Sequence, residues 1–384
     1  MAAYFDNAAT TPLCGEALSA FEQACAVYAN PSSVHSAGIE AEKLVSASRK
    51  KLLSVIGGTG KGNIIFTGCG TESNALALFG SAYAKDANIN KNIIISDSEH
   101  PSVYKAAEEL QRRGFEVRRV KTYGGAVDPD ELAGLTDNNT FLISIMTVNN
   151  ETGAVYRIKD LCRAAKAKNP RVIFHTDATQ AFMKTVTDVT LSGVDMMTVS
   201  AHKIGGPKGV GALYVADSLV SSRSVSPLLY GGGQEGGLRS GTENTAGIAA
   251  FSAAAVYGKE NHSGDISNIS RLSLHITSGL EAAGVRINHP ENAVPHIISA
   301  TLPGIKSEVM LRYLSAKGIY ISSGSACSSH HPGISPALLA FGLSAKDADC
   351  TVRISLWRQN TVQEADMLVG NIADGIKSLI KIRK

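Results

Sequence analysis

Lys203 follows a histidine at the end of an apolar run, in Ser200-Ala201-His202-Lys203-Ile204-Gly205-Gly206-Pro207. A lysine amine becomes a useful nucleophile when its pKa is lowered or when a carbonyl captures it as a Schiff base. Upstream, His175-Thr176-Asp177-Ala178-Thr179-Gln180 places an aspartate at the end of another apolar run. A strand-end lysine and a strand-end aspartate are the pair that pyridoxal phosphate requires. The lysine holds the aldehyde, the aspartate keeps the pyridine nitrogen protonated, and the ring can then accept electrons.

Other segments carry chemistry of their own. Thr67-Gly68-Cys69-Gly70-Thr71-Glu72-Ser73 lies between an expected strand and an expected helix. Its glycines let backbone N–H groups close around a phosphate at a helix start, although a plain glycine turn capped by Thr71 has the same sequence. His100, just past a strand end, can stack on a ring or shuttle protons, or simply cap a helix. His175 reads as a packing histidine. Cys327 sits in Ser322-Ser323-Gly324-Ser325-Ala326-Cys327-Ser328-Ser329, among small residues that bury little surface. An accessible thiol there can ionise and attack. Cys14, Cys25, Cys162 and Cys350, in apolar or helical contexts, read as bystanders. Arg353, in an alternating stretch, can grip a carboxylate with parallel N–H bonds or be a surface cation. His330 and His331 are adjacent on a loop and read as solvated rather than metal-binding. Gly231-Gly232-Gly233-Gln234-Glu235-Gly236 fits a dinucleotide pattern literally but lacks the βαβ surroundings.

These side chains need a scaffold, and the chain is long enough to provide one. It has 384 residues, 44% hydrophobic and 18% charged, with a net charge of +3. That length predicts a large core and two domains. The small charge argues against nucleic acid and a polybasic membrane patch. No apolar run reaches the roughly 18 residues of a membrane span, no basic and apolar leader opens the chain, and the six cysteines form no C-x-x-C pair. A reducing cytoplasm is the expectation. Apolar runs at 63–67, 92–96, 141–147, 172–177, 196–201 and 210–215 predict buried strands. Amphipathic stretches at 72–85, 103–113 and 158–168 predict helices between them. That alternation predicts an α/β class with a mainly parallel sheet. The pattern changes at the polar stretch 259–265, after which a smaller α/β domain is expected.

Taken in order, the segments resemble the cysteine desulfurases, within the class-V aminotransferase group of pyridoxal-phosphate enzymes. The resemblance runs along nearly the whole chain. It is carried by Tyr4-Phe5-Asp6-Asn7-Ala8-Ala9-Thr10-Thr11-Pro12, Asn30-Pro31-Ser32-Ser33-Val34-His35, Gly70-Thr71-Glu72, Glu99-His100 and Val148-Asn149-Asn150-Glu151-Thr152-Gly153. It continues through Asp177-Ala178-Thr179-Gln180, Ser200-Ala201-His202-Lys203, Arg239-Ser240-Gly241-Thr242-Glu243-Asn244 and Gly324-Ser325-Ala326-Cys327. The resemblance implies an aspartate aminotransferase-like, PLP-dependent transferase fold. Residues 13–258 would form the large cofactor domain, and 1–12 with 259–384 the small domain carrying the catalytic cysteine loop.

It also implies roles. Lys203 would hold pyridoxal phosphate and move the substrate Cα proton, while Asp177 would face the ring nitrogen and Gln180 the ring hydroxyl. His100 would stack on the ring and assist proton transfer. Gly70, Thr71, Ser200 and His202 would hold the phosphate, joined by Thr242 from a partner subunit, so a homodimer is implied. Asn150 and Arg353 would bind the carboxylate of L-cysteine. Cys327 would take the sulfur as a persulfide, leaving L-alanine, and pass it to an iron–sulfur scaffold or a tRNA-thiolation enzyme. The spacing from Cys327 to Phe341-Gly342-Leu343 is similar to the long-loop branch, whereas Gly236 and Cys69 depart from the pattern. Selenocysteine remains open as a substrate. Two other readings compete: a related lyase or aminotransferase in which Cys327 carries no sulfur, and a non-catalytic scaffold, which the intact Lys203, Asp177 and His100 oppose.

Overall fold

A computed structural model of the chain describes residues 2–84, 91–324 and 334–379. Its strands are β1 (Ala3–Tyr4), β2 (Gly62–Thr67), β3 (Asn92–Ser96), β4 (Glu116–Val120), β5 (Thr140–Ser144), β6 (Ile173–Asp177), β7 (Met196–Ser200), β8 (Gly211–Ala216), β9 (Arg286–Ile287), β10 (Ile297–Thr301), β11 (Ile319–Tyr320) and β12 (Thr351–Ser355). Among the described residues, seven of them form one sheet in the order β2-β8-β7-β6-β5-β3-β4. β4, β3, β5, β6 and β7 run parallel, and β8 lies antiparallel to both β7 and β2.

Each central strand is buried on both faces, and successive residues serve opposite cores. Ile64, Phe66, Ile94, Ala212 and Tyr214 pack into one cluster. Ile65, Ile93, Ile95, Leu213 and Val215 pack into the other. This period of two, with β-branched and aromatic residues frequent, is why these runs settle as strands. Because β8 alone is reversed, the carboxyl ends of β2, β3, β5, β6 and β7 open on one edge. In sheets of this kind that edge is where ligands bind.

A second core lies beside the first. β10 pairs antiparallel with β9 and β12, and β1 pairs parallel with β11. Ala3, Phe5, Ile298, Ile354, Leu368 and Ile372 belong to this cluster. One helix, Thr245–Ala282, joins the two cores: Ile248 and Phe251 pack into the first, Ile269, Leu272 and Ile276 into the second.

The structure refines the expected elements. The predicted strand at 92–96 keeps its bounds, and most of the others shift by a residue or two, except that the run at 141–147 ends as a strand at Ser144. β4 was not predicted, because Glu-Val-Arg-Arg-Val reads as surface; it is an edge strand whose Arg118 pairs with Glu116 and Asp137. The polar stretch 259–265 is not a break between elements but lies within the long helix. Its residues are largely exposed, so their polarity costs nothing there, and Gly258 lets the helix approach Met183.

Gly264 is exposed in this helix, with open space where a Cβ would stand. Gly264→Ala should stabilise the protein by about 0.5–1 kcal/mol, whereas Gly264→Pro should destabilise it by about 3 kcal/mol or more. Denaturant unfolding checks both, and a proline variant as stable as the parent would mean the helix is not continuous there.

Candidate functional site

The strand ends meet at a cleft of about 170 Å³. Asp177 closes β6, Ser200 closes β7, and the turn Ala201–Lys203 follows at once. The amino-terminal segment crosses this turn like a strap. Thr11 donates from its backbone N and its Oγ1 to the His202 carbonyl, both at 2.9 Å. Lys203 Nζ donates to the Ala8 carbonyl at 2.5 Å and the Ala9 carbonyl at 2.8 Å. Gln180 Nε2 donates to the same Ala8 carbonyl at 2.8 Å. Behind Gln180, the buried Lys184 amine reaches its Oε1 at 3.4 Å. Burial, with the charges of Lys203, Arg353 and Arg358, lowers the Lys184 pKa to about 7.

Both oxygens of Asp177 are held. Oδ1 accepts from Thr179 N at 2.9 Å and Oδ2 from Asn74 Nδ2 at 2.8 Å. Asn74 Nδ2 also donates to Ser102 Oγ at 2.8 Å, which lies 2.8 Å from His100 Nδ1. Ser102 N donates to that same ring nitrogen at 3.2 Å, so Nδ1 must offer its lone pair and the neutral ring carries its proton on Nε2. Burial holds His100 below its usual pKa, reinforced by Lys203 and Arg353 and opposed by Asp177. His202 is lowered to about 4 by burial and by Lys203, Lys208 and Lys184, and its Nδ1 lies 3.2 Å from Thr10 Oγ1.

The turn after β2 leads into the helix Gly70–Ala84, whose amino end lines the cleft. Gly211 lets this turn rest on β8, because a Cβ there would stand 2.6 Å from the Cys69 carbonyl carbon and 2.9 Å from Gly70 N. Beside it, the buried Ser200 hydroxyl has no hydrogen-bond partner among the described residues. An orphaned hydroxyl at a helix amino terminus suits an anionic group such as a phosphate. The donor set therefore fits pyridoxal phosphate: an anion cradle, an anchored carboxylate, a neutral imidazole and a lysine.

On the far wall, Arg353 in β12 is almost wholly buried. Its Nη1 donates to the Asn150 carbonyl at 2.9 Å and its Nη2 to Asp6 Oδ1 at 3.0 Å, while Nε has no partner among the described residues.

The cleft thus gathers Gly70, Thr71, His100, Asn150, Asp177, Gln180, Ser200, His202, Lys203 and Arg353. Thr242 is exposed and does not line it. Its segment is tied to the cradle helix through Arg239 Nε and Glu72 Oε1, 2.9 Å apart. Cys327, like His330 and His331, lies outside the described residues. His175 sits between Ser144 and Thr198 within the core. Among the described residues no cluster of His, Cys, Asp and Glu could hold a metal, and no helix is long and apolar enough to cross a membrane. Sequence reasoning missed Asn74, Ser102 and Asp6. Asn74 lies in an apolar helix, where the only available signal was a polar residue on a buried face.

Three comparisons bear on the site. The chain matches the family described as Aminotransferase class-V over residues 3–368. It is 39% identical to a NifS/IcsS protein homolog of Lactobacillus delbrueckii, covering 95% of each chain. It is 37% identical to a cysteine desulfurase, IscS 1, of Archaeoglobus fulgidus, covering 95% of this chain and 94% of the other. Among solved structures it resembles a NifS-like protein with a TM-score of 0.91 and 34% identity over 99% of this chain and all of the other. It also resembles SspA in complex with cysteine, with a TM-score of 0.82 and 32% identity over 94% of this chain and all of that one.

One neighbour of the site titrates in a testable way. Glu99 Oε1 accepts from Ser96 Oγ at 2.5 Å and from Met146 N at 2.9 Å, and burial, with Asp177, pushes its pKa up from 4.5 to about 8. Between those values the folded protein holds a proton that the unfolded chain has released, so this contribution is full below pH 4.5 and is lost as pH rises towards 8. Glu99→Gln should flatten the fall in stability across that window by up to about 1.4 kcal/mol per pH unit. Urea unfolding from pH 5 to 8 checks this, and a variant with the parental slope would refute it.

Proposed function

Because the chain belongs to the aminotransferase class-V family, we propose that it is a pyridoxal-phosphate-dependent cysteine desulfurase that converts L-cysteine to L-alanine and carries the sulfur on Cys327. The observation that carries this reading is the convergence of Lys203, Asp177 and Arg353 on one cleft. Pyridoxal phosphate, when bound, supplies an aldehyde for Lys203 and a protonated ring that stabilises negative charge on the substrate carbon. The chain's residues do the rest.

Gly70, Thr71, Ser200 and His202 hold the phosphate, and Thr242 of a second copy completes that cradle in a homodimer. Support for association comes from exposed apolar side chains, Tyr28 at 92%, Val34 at 93% and Tyr230 at 80%. Asp177, fixed through both oxygens, keeps the ring nitrogen protonated. Gln180 would donate to the ring hydroxyl, and neutral His100 would take part in proton movement beside the bound group. Arg353 and Asn150 receive the cysteine carboxylate. The Lys203 amine removes the Cα proton. Cys327 thiolate then attacks the substrate sulfur. An S–S bond forms, the Cβ–S bond breaks, its electron pair remains with the carbon skeleton, and proton uptake yields alanine.

The resulting persulfide passes its outer sulfur to a thiol of an acceptor protein, an iron–sulfur scaffold or a tRNA-thiolation enzyme. We treat residues 13–258 as the cofactor domain, and 1–12 with 259–384 as the domain bearing Cys327. The packing of Ala3 and Phe5 into the second core supports that division. Free thiols at Cys14, Cys25, Cys69, Cys162 and Cys350 accord with a reducing cytoplasm.

Cys327→Ala should retain the cofactor and its absorption change on adding cysteine, but lose persulfide and cut sulfide release at least about 100-fold. Release at the parental rate would leave a lyase in which Cys327 carries no sulfur. Arg353→Lys should raise KM for cysteine about 10- to 100-fold through loss of paired N–H donors, about 1.5–3 kcal/mol. Steady-state kinetics check it, and an unchanged KM would remove Arg353 from carboxylate binding.

A further inference from the structure

The turn that lines the cleft with Asn150 presents Glu151 to a different part of the chain. Glu151 is buried, and its Oε2 accepts a 2.6 Å hydrogen bond from Ser335 Oγ. The same oxygen abuts Gly324, where φ is +57° and a Cβ would stand only 3.2 Å from it. Gly324 and Ser335 flank the segment that holds Cys327. One carboxylate therefore bonds the stem after that segment and lies close to the stem before it.

The turn is stiff. Asn149 Oδ1 accepts from Glu151 N and Thr152 N, both at 2.9 Å, and Asn149 Nδ2 donates to the Ser98 carbonyl at 3.1 Å, just before His100. The stem preceding Gly324 is fixed to the carboxylate-binding wall as well. Arg353 N donates to the Ser322 carbonyl at 2.7 Å, and Ser322 N donates to the Arg353 carbonyl at 3.1 Å.

We propose that Glu151 is a positioning residue for sulfur transfer: it pins both stems of the Cys327 segment to the turn whose other face lines the substrate cleft. This rests on the reading of Cys327 as the sulfur carrier. Fixing the stems on one point raises the local concentration of the thiol at the cleft without any contact to substrate.

The test uses the cofactor-loaded protein at pH 8, with two readouts. One is the cysteine-induced absorption change, which reports substrate binding. The other is mass spectrometry of Cys327 after a single turnover, which reports transfer. Ser335 also caps the helix Pro336–Phe341 by accepting from Leu338 N at 3.3 Å. Ser335→Asp keeps a good cap but sets a second carboxylate against Glu151. It should leave the absorption change within twofold of the parent and slow persulfide formation at least tenfold. Adding Glu151→Gln removes the repulsion and lets the amide donate to the aspartate, so the double variant should recover to within about threefold.

Persulfide formation at the parental rate in Ser335→Asp would overturn the proposal. So would a double variant no faster than Ser335→Asp, or loss of the absorption change together with transfer. Should the double variant fail to fold, the single variant decides by its two readouts. A parent protein whose Cys327 never gains sulfur would instead refute the sulfur-carrier reading itself, and this inference with it.

Discussion

A single buried carboxylate sets the terms for its surroundings. Asp177 ends β6 with both oxygens bonded, one to its own turn and one to Asn74. Its field raises the pKa of Glu99, His100 and His175, three groups on separate elements. Burial nevertheless keeps both histidines below their usual value, while for Glu99 burial and Asp177 act together. Negative charge is thus concentrated on one residue, because a second ionised carboxylate beside it would be costly. Asn74 extends this order outward: it binds Asp177 and, through Ser102, fixes the tautomer of His100. The anchored carboxylate and the neutral imidazole are therefore set by one amide side chain.

The amino-terminal strap performs the complementary task of joining the two cores. Asn7 Nδ2 donates to the Ser355 carbonyl at 2.9 Å, and Ala8 N donates to Ser355 Oγ at 2.8 Å, so the strap lies against β12. The next carbonyls, of Ala8 and Ala9, hold Lys203. The wall carrying Arg353 and the turn carrying Lys203 are consequently registered through three consecutive residues. Asp6 and Arg353 are 347 residues apart in sequence. Such pairing closes a loop of nearly the whole chain, and the rest of the fold must offset its entropic cost.

How much of this the sequence disclosed depended on whether a residue type announced its task. Lys203 and Asp177 were legible because each ends an apolar run and together they suit one cofactor. Arg353 was ambiguous, since an arginine in an alternating strand can face water; its burial and its link to Asp6 come from pairing across the chain. Asn74 was silent, as one amide in an otherwise apolar helix reads as packing. Strand positions were readable from β-branched runs, but the reversal of β8 was not, because periodicity carries no direction. The break expected at 259–265 misread a solvent-facing stretch of helix, where exposure rather than chain termination explains the polarity.

The contacts already made within the cleft bear on selectivity. Among the described residues Arg353 keeps one nitrogen without a partner and shares another with Asp6, whose side chain is 19% exposed. Asp6 can be released to water at modest cost, whereas the buried guanidinium cannot, so an incoming carboxylate replaces a partner instead of meeting a bare charge. Lys203 must likewise leave two carbonyls, one of which Gln180 continues to occupy. The exchange at Arg353 favours a ligand whose own carboxylate can satisfy two donors. A neutral thiol offers no such exchange, so it leaves the Asp6 pair in place and gains nothing at Arg353. Asn150 lines that cleft, while Glu151, its neighbour in the same turn, accepts from Ser335 outside it.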